Sequence, residues 1–166
     1  MRCYHSDRSE FVILYGRRCI GKTFLVNQVL GQKLTFELVC MTHVEPILRK
    51  LGISGVKTDI YSWRGTAENV PLNGEDAPIA EKAQVDLVID RSDNYIYLCE
   101  MEFSSEEYVI TKDYEKRLRY RMTLFRECTN TRKALLNSFV TTYGVKRSIH
   151  SDIVNHQVLL DELFDN

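Results

Sequence analysis

Two apolar runs separated by three polar residues constrain the fold of this chain more than any other feature. The first run is AQVDLVIDR (83–91) and the second is YIYLCEMEF (95–103). Each has the length and the β-branched or aromatic content of a strand. Between them, Ser92, Asp93 and Asn94 are residue types that favour tight turns. The pattern therefore predicts a β-hairpin.

A helix and a strand are predicted before this hairpin. Thr42 is followed three residues later by Glu45, a spacing typical of a capping box. The helix that it opens is expected to continue to Leu51 and to stop at Gly52. Apolar and polar residues then alternate over 56–63, which predicts a strand.

The segments around and after the hairpin complete the predicted order of elements. Residues 64–82 contain two prolines and one Asn-Gly pair, which are turn signals, and are predicted to form a polar connection. Apolar residues recur at helical spacing over 110–128, and the mainly apolar run 134–144 reads as another strand. A short final segment follows at 158–164. The order helix, three strands, helix and strand predicts an α/β fold.

Acidic residues fall at regular positions on the predicted hairpin. Glu100 and Glu102 alternate along the second strand, so they share one face and lie about 7 Å apart. Asp86 on the first strand approaches Glu100 if the register allows it. Carboxylate oxygens suit Mg²⁺ or Mn²⁺, and such an ion can activate water and neutralise charge on a phosphodiester. The simpler alternative is that each acid is only solvated.

The same residues resemble a known family. The run AQVDLVID, a turn, YLCEMEF, a basic helix and VTTYG are similar to the C-terminal domain of bacterial and archaeal ATPases of the AAA/STAND type. That domain resembles PD-(D/E)XK nucleases. The resemblance covers about 37–164, including LGISGV (51–56) and YSWR (61–64). It implies a restriction-endonuclease-like core of helix, three strands, helix and strand.

The resemblance also assigns roles to the acidic residues. It places the metal-binding motif acids on Asp86 and Glu100, and it places Glu102 where the family usually has lysine. That lysine orients or deprotonates the attacking water. A metal-dependent DNA nuclease would therefore need Glu102 as a further metal ligand or base, or a cation from Lys112 or Lys116 on the following helix. The third alternative, a degenerate domain that does not cleave, is the one that the substitution favours.

A second motif lies near the start of the chain. GRRCIGKT (16–23) fits the phosphate-loop pattern G-x-x-x-x-G-K-[ST] and lies between the apolar run 10–16 and a helix-like segment. In such a loop Gly16 and Gly21 let the backbone curl round phosphate oxygens. Lys22 would reach the outer phosphates of ATP and Thr23 would hold magnesium.

The phosphate loop divides the chain into two predicted parts. Residues 10–36 resemble the start of the same ATPases, whose complete chains carry a long ATPase core between the two pieces. We therefore predict a truncated P-loop segment at 1–36 and a nuclease-like domain at 37–166. ATP hydrolysis is not expected without the ATPase core. ATP binding stays open. A short strand–helix unit cannot bury its own apolar face, so we expect it to associate either with the main domain or with a second copy of the chain.

Charge and composition limit the remaining function classes. The chain has 166 residues and a formal net charge of −1, so any nucleic-acid binding must come from a local patch. Residues 110–133 provide one, a predicted DNA-binding surface, with Lys112, Lys116, Arg117, Arg119, Arg121, Arg126, Arg132 and Lys133. The five cysteines lack metal or disulfide spacing, and no apolar stretch predicts a membrane span or a secretion signal. We expect a cytoplasmic protein that is a nuclease-like domain, a nucleotide-binding module or a non-catalytic interaction domain for DNA or protein.

Overall fold

A computed structural model describes residues 22–66 and 82–165, with side chains from residue 31 onward. Helices pack against one five-stranded sheet, whose strands are hydrogen-bonded in the order in which they occur in the chain. The predicted α/β class is confirmed. The elements in chain order are α1 (Lys22–Thr42), α2 (Val44–Lys50), β1 (Thr58–Thr66), β2 (Lys82–Arg91), β3 (Tyr95–Glu102), α3 (Lys112–Thr129), β4 (Ala134–Thr141) and β5 (His156–Leu159).

The predicted hairpin forms the antiparallel pair of β2 and β3. Leu87 lies opposite Cys99 and Asp90 lies opposite Ile96. Asn94 closes the turn with a φ of 73°, a left-handed conformation that asparagine tolerates better than most residues. The hairpin prediction is therefore confirmed.

A helical crossover follows the hairpin. β3 and β4 are parallel, and α3 connects them. The hydroxyl of Thr111 caps the helix by accepting a hydrogen bond from the backbone N–H of Tyr114 at 3.2 Å. Asn130, with a φ of 50°, ends it. The predicted helix over 110–128 and the predicted strand over 134–144 are both confirmed, and the short final segment contains the parallel strand β5.

The N-terminal helices confirm the predicted helix before Gly52 but contradict its predicted capping box. A helix does cover residues 44–50, and Gly52 stops it with a φ of 71°. The capping box, however, is wrong: Thr42 is the last residue of α1, where its hydroxyl donates to the carbonyl oxygens of Leu38 and Val39 at 3.1 and 2.9 Å. The N-cap of α2 is His43, which makes no side-chain capping bond.

α1 is longer than the sequence indicates. The helix-like segment 24–30 continues without a break to Thr42, so the predicted boundary between residues 36 and 37 falls inside one helix. Phe36 and Cys40 on this continuation are buried in the core. The apolar run 10–16 lies outside the described residues, as does most of the predicted connection 64–82, of which residues 64–66 belong to β1.

Two layers of apolar side chains cover the two faces of the sheet. On one face, Phe36 and Cys40 of α1 pack with Leu87, Cys99 and Met101. On the other face, α3 packs through Leu118, Phe125 and their neighbours against the alternate strand positions, which include Val88, Ile96, Leu98 and Phe139. Because Glu100 and Glu102 follow Leu98 at alternate positions, they lie on the α3 side of the sheet.

Candidate functional site

The two glutamates of β3 lie buried under α3 at the carboxyl end of the strand. Glu100 and Glu102 are only 7% and 9% exposed. The hydroxyl of Tyr114 on α3 lies 3.1 Å from Oε2 of Glu100 and 3.0 Å from Oε1 of Glu102. A phenol has one proton to donate, so this hydroxyl is shared by the two carboxyl groups. The expectation that Glu100 and Glu102 share one face is confirmed.

Arg121 supplies a buried positive charge to this pair. Its guanidinium nitrogen lies 2.6 Å from Oε1 of Glu100 and donates a second hydrogen bond to the carbonyl oxygen of Gln84 at 2.7 Å. Burial nevertheless raises the pKa of Glu100 to about 7, and the negative charges of Glu102 and Asp86 add to this effect while Arg121 opposes it. The carboxyl group therefore changes its protonation state near neutral pH.

Asp86 lies beside the glutamates at an irregularity of β2. Leu87 and Cys99 form the pair of the hairpin farthest from its turn, and Asp86 directly precedes Leu87 while Glu100 directly follows Cys99. Between Val85 and Val88 the strand carries one more residue than β1 does, so a β-bulge includes Asp86. Its side chain is half-buried and accepts a hydrogen bond of 2.7 Å from the amide of Gln84.

α1 brings two further charges to the site, and sequence reasoning missed both. Nζ of Lys33 lies 3.7 Å from Oε2 of Glu102. The pKa of Glu37, one turn later, is raised by burial and then by the charge of Asp86, while Lys33 lowers it. Both were missed because the sequence reading ended this helix at residue 30. Their i, i+4 spacing would have placed them on one face of a longer helix.

The lysines predicted to replace the motif lysine lie elsewhere. Lys112 and Lys116 are exposed on α3, and in the part of the chain that the structure describes the ion-pair partners of Glu100 and Glu102 are Arg121 and Lys33. Arg121 lies three residues after Leu118 and four before Phe125, which both face the sheet. That spacing was a signal in the sequence for the inward position of Arg121.

The carboxylates could supply hard oxygen ligands, but protein groups already contact them. Arg121 and Tyr114 approach the two oxygens of Glu100, and Tyr114 and Lys33 approach those of Glu102. Among residues 22–66 and 82–165, no group of three or more His, Cys, Asp or Glu side chains has the arrangement of a metal site. Mg²⁺ or Mn²⁺ at Asp86 and Glu100 stays a prediction.

The predicted ATP site falls largely outside the described residues. Gly16 and Gly21 are not among them. Lys22 and Thr23 are the first described residues of α1, and the structure describes only their backbone. The assignment of a phosphate loop and of ATP as its ligand remains a prediction.

The fold and the site define a mixed α/β protein with a buried carboxylate cluster that faces a helix of the crossover. No protein-family model and no curated protein matches the chain. A crystal structure of AF1548, a protein of unknown function, is similar over 72% of this chain and 56% of its own, with 14% sequence identity and a TM-score of 0.44. The chain therefore spans little more than half the length of that structure.

Among the helices of residues 22–66 and 82–165, none combines the length and the apolar character needed to cross a membrane.

Proposed function

We propose that residues 37–166 form a PD-(D/E)XK nuclease-like domain that binds DNA through the exposed face of α3 and does not cleave it. The observation that carries this proposal is the division of the α3 cations between two opposite faces of the helix.

The outer face of α3 is a basic stripe. At about 100° per residue, Lys112, Lys116, Arg119 and Arg126 fall within an arc of about 80°. All four are exposed. Arg119 is paired with Glu115, at 2.6 Å, and the stripe extends along about 20 Å of helix. Lysine and arginine in such a row are the groups that bind successive phosphates of a nucleic-acid backbone.

The inner face of α3 carries the cation that contacts the acids. Arg121 lies about 180° round the helix from Lys112. A guanidinium nitrogen of Arg121 forms an ion pair with Oε1 of Glu100 at 2.6 Å. A DNA backbone bound to the outer stripe would be separated from the carboxylates by the helix itself, which is about 10 Å in diameter. This separation favours binding without cleavage.

The residue at position 102 supports the same conclusion. A glutamate there cannot stabilise the negative charge that develops on a phosphodiester during hydrolysis. Lys33 and Arg121 instead neutralise Glu102 and Glu100 within the protein. A fixed guanidinium 2.6 Å from a carboxylate oxygen of Glu100 competes directly with a divalent ion for that oxygen.

DNA binding is tested by fluorescence anisotropy with a labelled duplex over a range of salt concentrations. The parent protein should bind, and Lys112→Ala/Lys116→Ala should bind more weakly, with the slope of log K against log salt reduced by about 2. The matched control is Arg64→Ala/Lys82→Ala, which removes two exposed cations from β1 and β2. Equal losses in both double variants would contradict a specific role for α3.

Cleavage is tested separately with plasmid and single-stranded DNA in Mg²⁺ or Mn²⁺. The proposal expects no cutting by the parent protein. Metal-dependent cutting that Glu100→Ala abolishes would overturn it and would establish the nuclease alternative. Absence of both cutting and DNA binding would leave a domain that interacts with protein partners.

A further inference from the structure

A basic loop, residues 146–150, lies between β4 and β5. It carries Lys146 and Arg147, whose side chains are both exposed. The start of the loop is fixed, because Val145 is buried and the backbone N–H of Lys146 donates to the carbonyl oxygen of Tyr108 at 2.9 Å. Tyr108 shortly precedes α3, so the loop begins near the N-terminal end of that helix.

His150 joins the basic loop to α3. Nδ1 of His150 lies 2.7 Å from Oε2 of Glu115, and Oε1 of the same carboxylate accepts hydrogen bonds from Arg119 at 2.6 and 2.9 Å. The hydrogen bonds from Arg119 and from His150 lower the pKa of Glu115, so this carboxylate is ionised at neutral pH. One carboxylate therefore ties the loop to a cation of the basic stripe.

The contact with His150 places the loop on the flank of α3 next to the basic stripe. At about 100° per residue, Glu115 lies about 60° round the helix from Lys112 and about 40° from Arg119. Arg121, on the buried face, lies about 120° away. The basic loop and the basic stripe therefore lie side by side on the exposed side of the helix.

The two cations of the loop are not neutralised by the described part of the protein. Among residues 22–66 and 82–165, neither Lys146 nor Arg147 has an ion-pair partner. Asp152 lines the same cavity as Arg147, but the two charged groups do not come within ion-pair distance. Two such cations beside a row of cations strengthen the attraction of that surface for a polyanion.

We propose that the basic loop is a second arm of the DNA-binding surface, and that Glu115 and His150 position this arm beside α3. This proposal rests on the proposed function, since the same DNA contacts the helix and the loop. Lys146 and Arg147 bind phosphates next to those that the basic stripe binds. A loop that is already fixed to the helix loses less conformational freedom on binding, which favours affinity.

This arrangement accounts for an acidic residue on a DNA-binding face. A free carboxylate beside the basic stripe would repel phosphates. The charge of Glu115 is instead neutralised by Arg119 at 2.6 Å, and its other oxygen holds His150. Glu115 therefore acts as a positioning residue for the loop.

The arm is tested by fluorescence anisotropy with a labelled duplex over a range of salt concentrations. Lys146→Ala/Arg147→Ala should weaken binding by about tenfold or more at about 0.1 M salt and should reduce the slope of log K against log salt by about 2. The control is Arg64→Ala/Lys82→Ala, which removes two exposed cations from β1 and β2 and should bind like the parent. Circular dichroism checks that each variant is folded.

A double-mutant cycle tests the positioning role of His150. His150→Ala alone should weaken DNA binding about 3- to 10-fold, because the loop must then be ordered when DNA binds. In the Lys146→Ala/Arg147→Ala background the same substitution should have no further effect, since the loop no longer contacts phosphates. A residue that only supports the fold, or that contacts DNA itself, would lower the affinity equally in both backgrounds. That result would overturn the positioning role.

Two outcomes separate the arm from the DNA binding on which it rests. In the first, the parent protein binds DNA and is weakened by Lys112→Ala/Lys116→Ala but not by Lys146→Ala/Arg147→Ala, which retains the proposed function and overturns the arm. In the second, the parent protein does not bind the duplex at any salt concentration, which overturns both.

Discussion

A guanidinium nitrogen of Arg121 lies 2.6 Å from Oε1 of Glu100, and both side chains are largely buried between α3 and the sheet. The contact joins the helix of the crossover to the strand that carries the acidic site. It also places a permanent cation where the nuclease-like resemblance predicts a divalent ion. The same contact therefore bears on the stability of the domain and on its proposed lack of cleavage.

Removing the arginine should destabilise the protein strongly. Arg121→Met leaves the carbonyl oxygen of Gln84 without its donor and the carboxyl group of Glu100 without its cation. Because burial already raises the pKa of Glu100 to about 7, this carboxyl group can take up a proton, and the loss is about 1–3 kcal/mol in the free energy of unfolding. Urea unfolding measures the change. Arg119→Met is a matched control on the same helix, because its exposed pair with Glu115 is expected to contribute about 0.5 kcal/mol or less. Similar losses of unfolding free energy in both variants would show that the buried pair contributes no more to stability than the exposed pair.

The pKa of Glu100 predicts how stability changes with pH. Burial raises this pKa from 4.5 to about 7 in the folded protein, so between these values the folded state holds a proton that the unfolded chain releases. The contribution of Glu100 is therefore fully present below pH 4.5 and is lost as the pH rises to about 7. The shift corresponds to about 3 kcal/mol.

Glu100→Gln should remove this pH dependence. An amide keeps the shape and hydrogen-bonding capacity of the protonated carboxyl group but does not titrate. Unfolding free energies of the parent and the variant, measured from pH 4.5 to pH 8, should therefore diverge as the pH rises, with the parent becoming less stable. Parallel curves would mean that Glu100 ionises normally in the folded protein.

Local signals in the sequence predicted much of the fold. The hairpin follows from two strand-like runs around Ser92, Asp93 and Asn94, and α3 follows from the spacing of its apolar residues. These elements are specified by residues close together in the chain. For the same reason the shared face of Glu100 and Glu102 was predictable from alternation alone.

The missed parts of the site depend on contacts between distant residues. Lys33 and Glu37 reach the acids because α1 continues past residue 30, and this continuation is stabilised by burial of Phe36 and Cys40 against the sheet. Thr42 was predicted to begin a helix, because sequence alone does not distinguish a threonine that caps the start of a helix from a threonine in the last turn of the preceding helix. Tertiary packing decided between the two interpretations.

The predicted phosphate loop leads to a binding experiment. If Gly16, Gly21, Lys22 and Thr23 bind nucleotide, calorimetry with ATP and magnesium should detect it, and Lys22→Ala should weaken binding at least about tenfold, since the lysine carries the charge that meets the outer phosphates. Lys33→Ala is the control, because Lys33 contacts Glu102 instead. Identical behaviour of Lys22→Ala and the parent would exclude the loop as an ATP site.

The glycine at position 65 should not tolerate a larger residue. A Cβ atom added there would overlap the ring of Trp63 on the same strand, and that ring packs against Phe125 of α3 with the ring centroids 5.0 Å apart. Gly65→Ala must therefore displace the indole from the α3 side of the core, at a cost of about 1–3 kcal/mol in the free energy of unfolding. Gly55→Ala is the control because a Cβ there meets no atom within 4 Å, and its stability should stay within about 0.5 kcal/mol of the parent. Urea unfolding distinguishes the two variants, and an unchanged stability of Gly65→Ala would show that Trp63 can move without loss of packing.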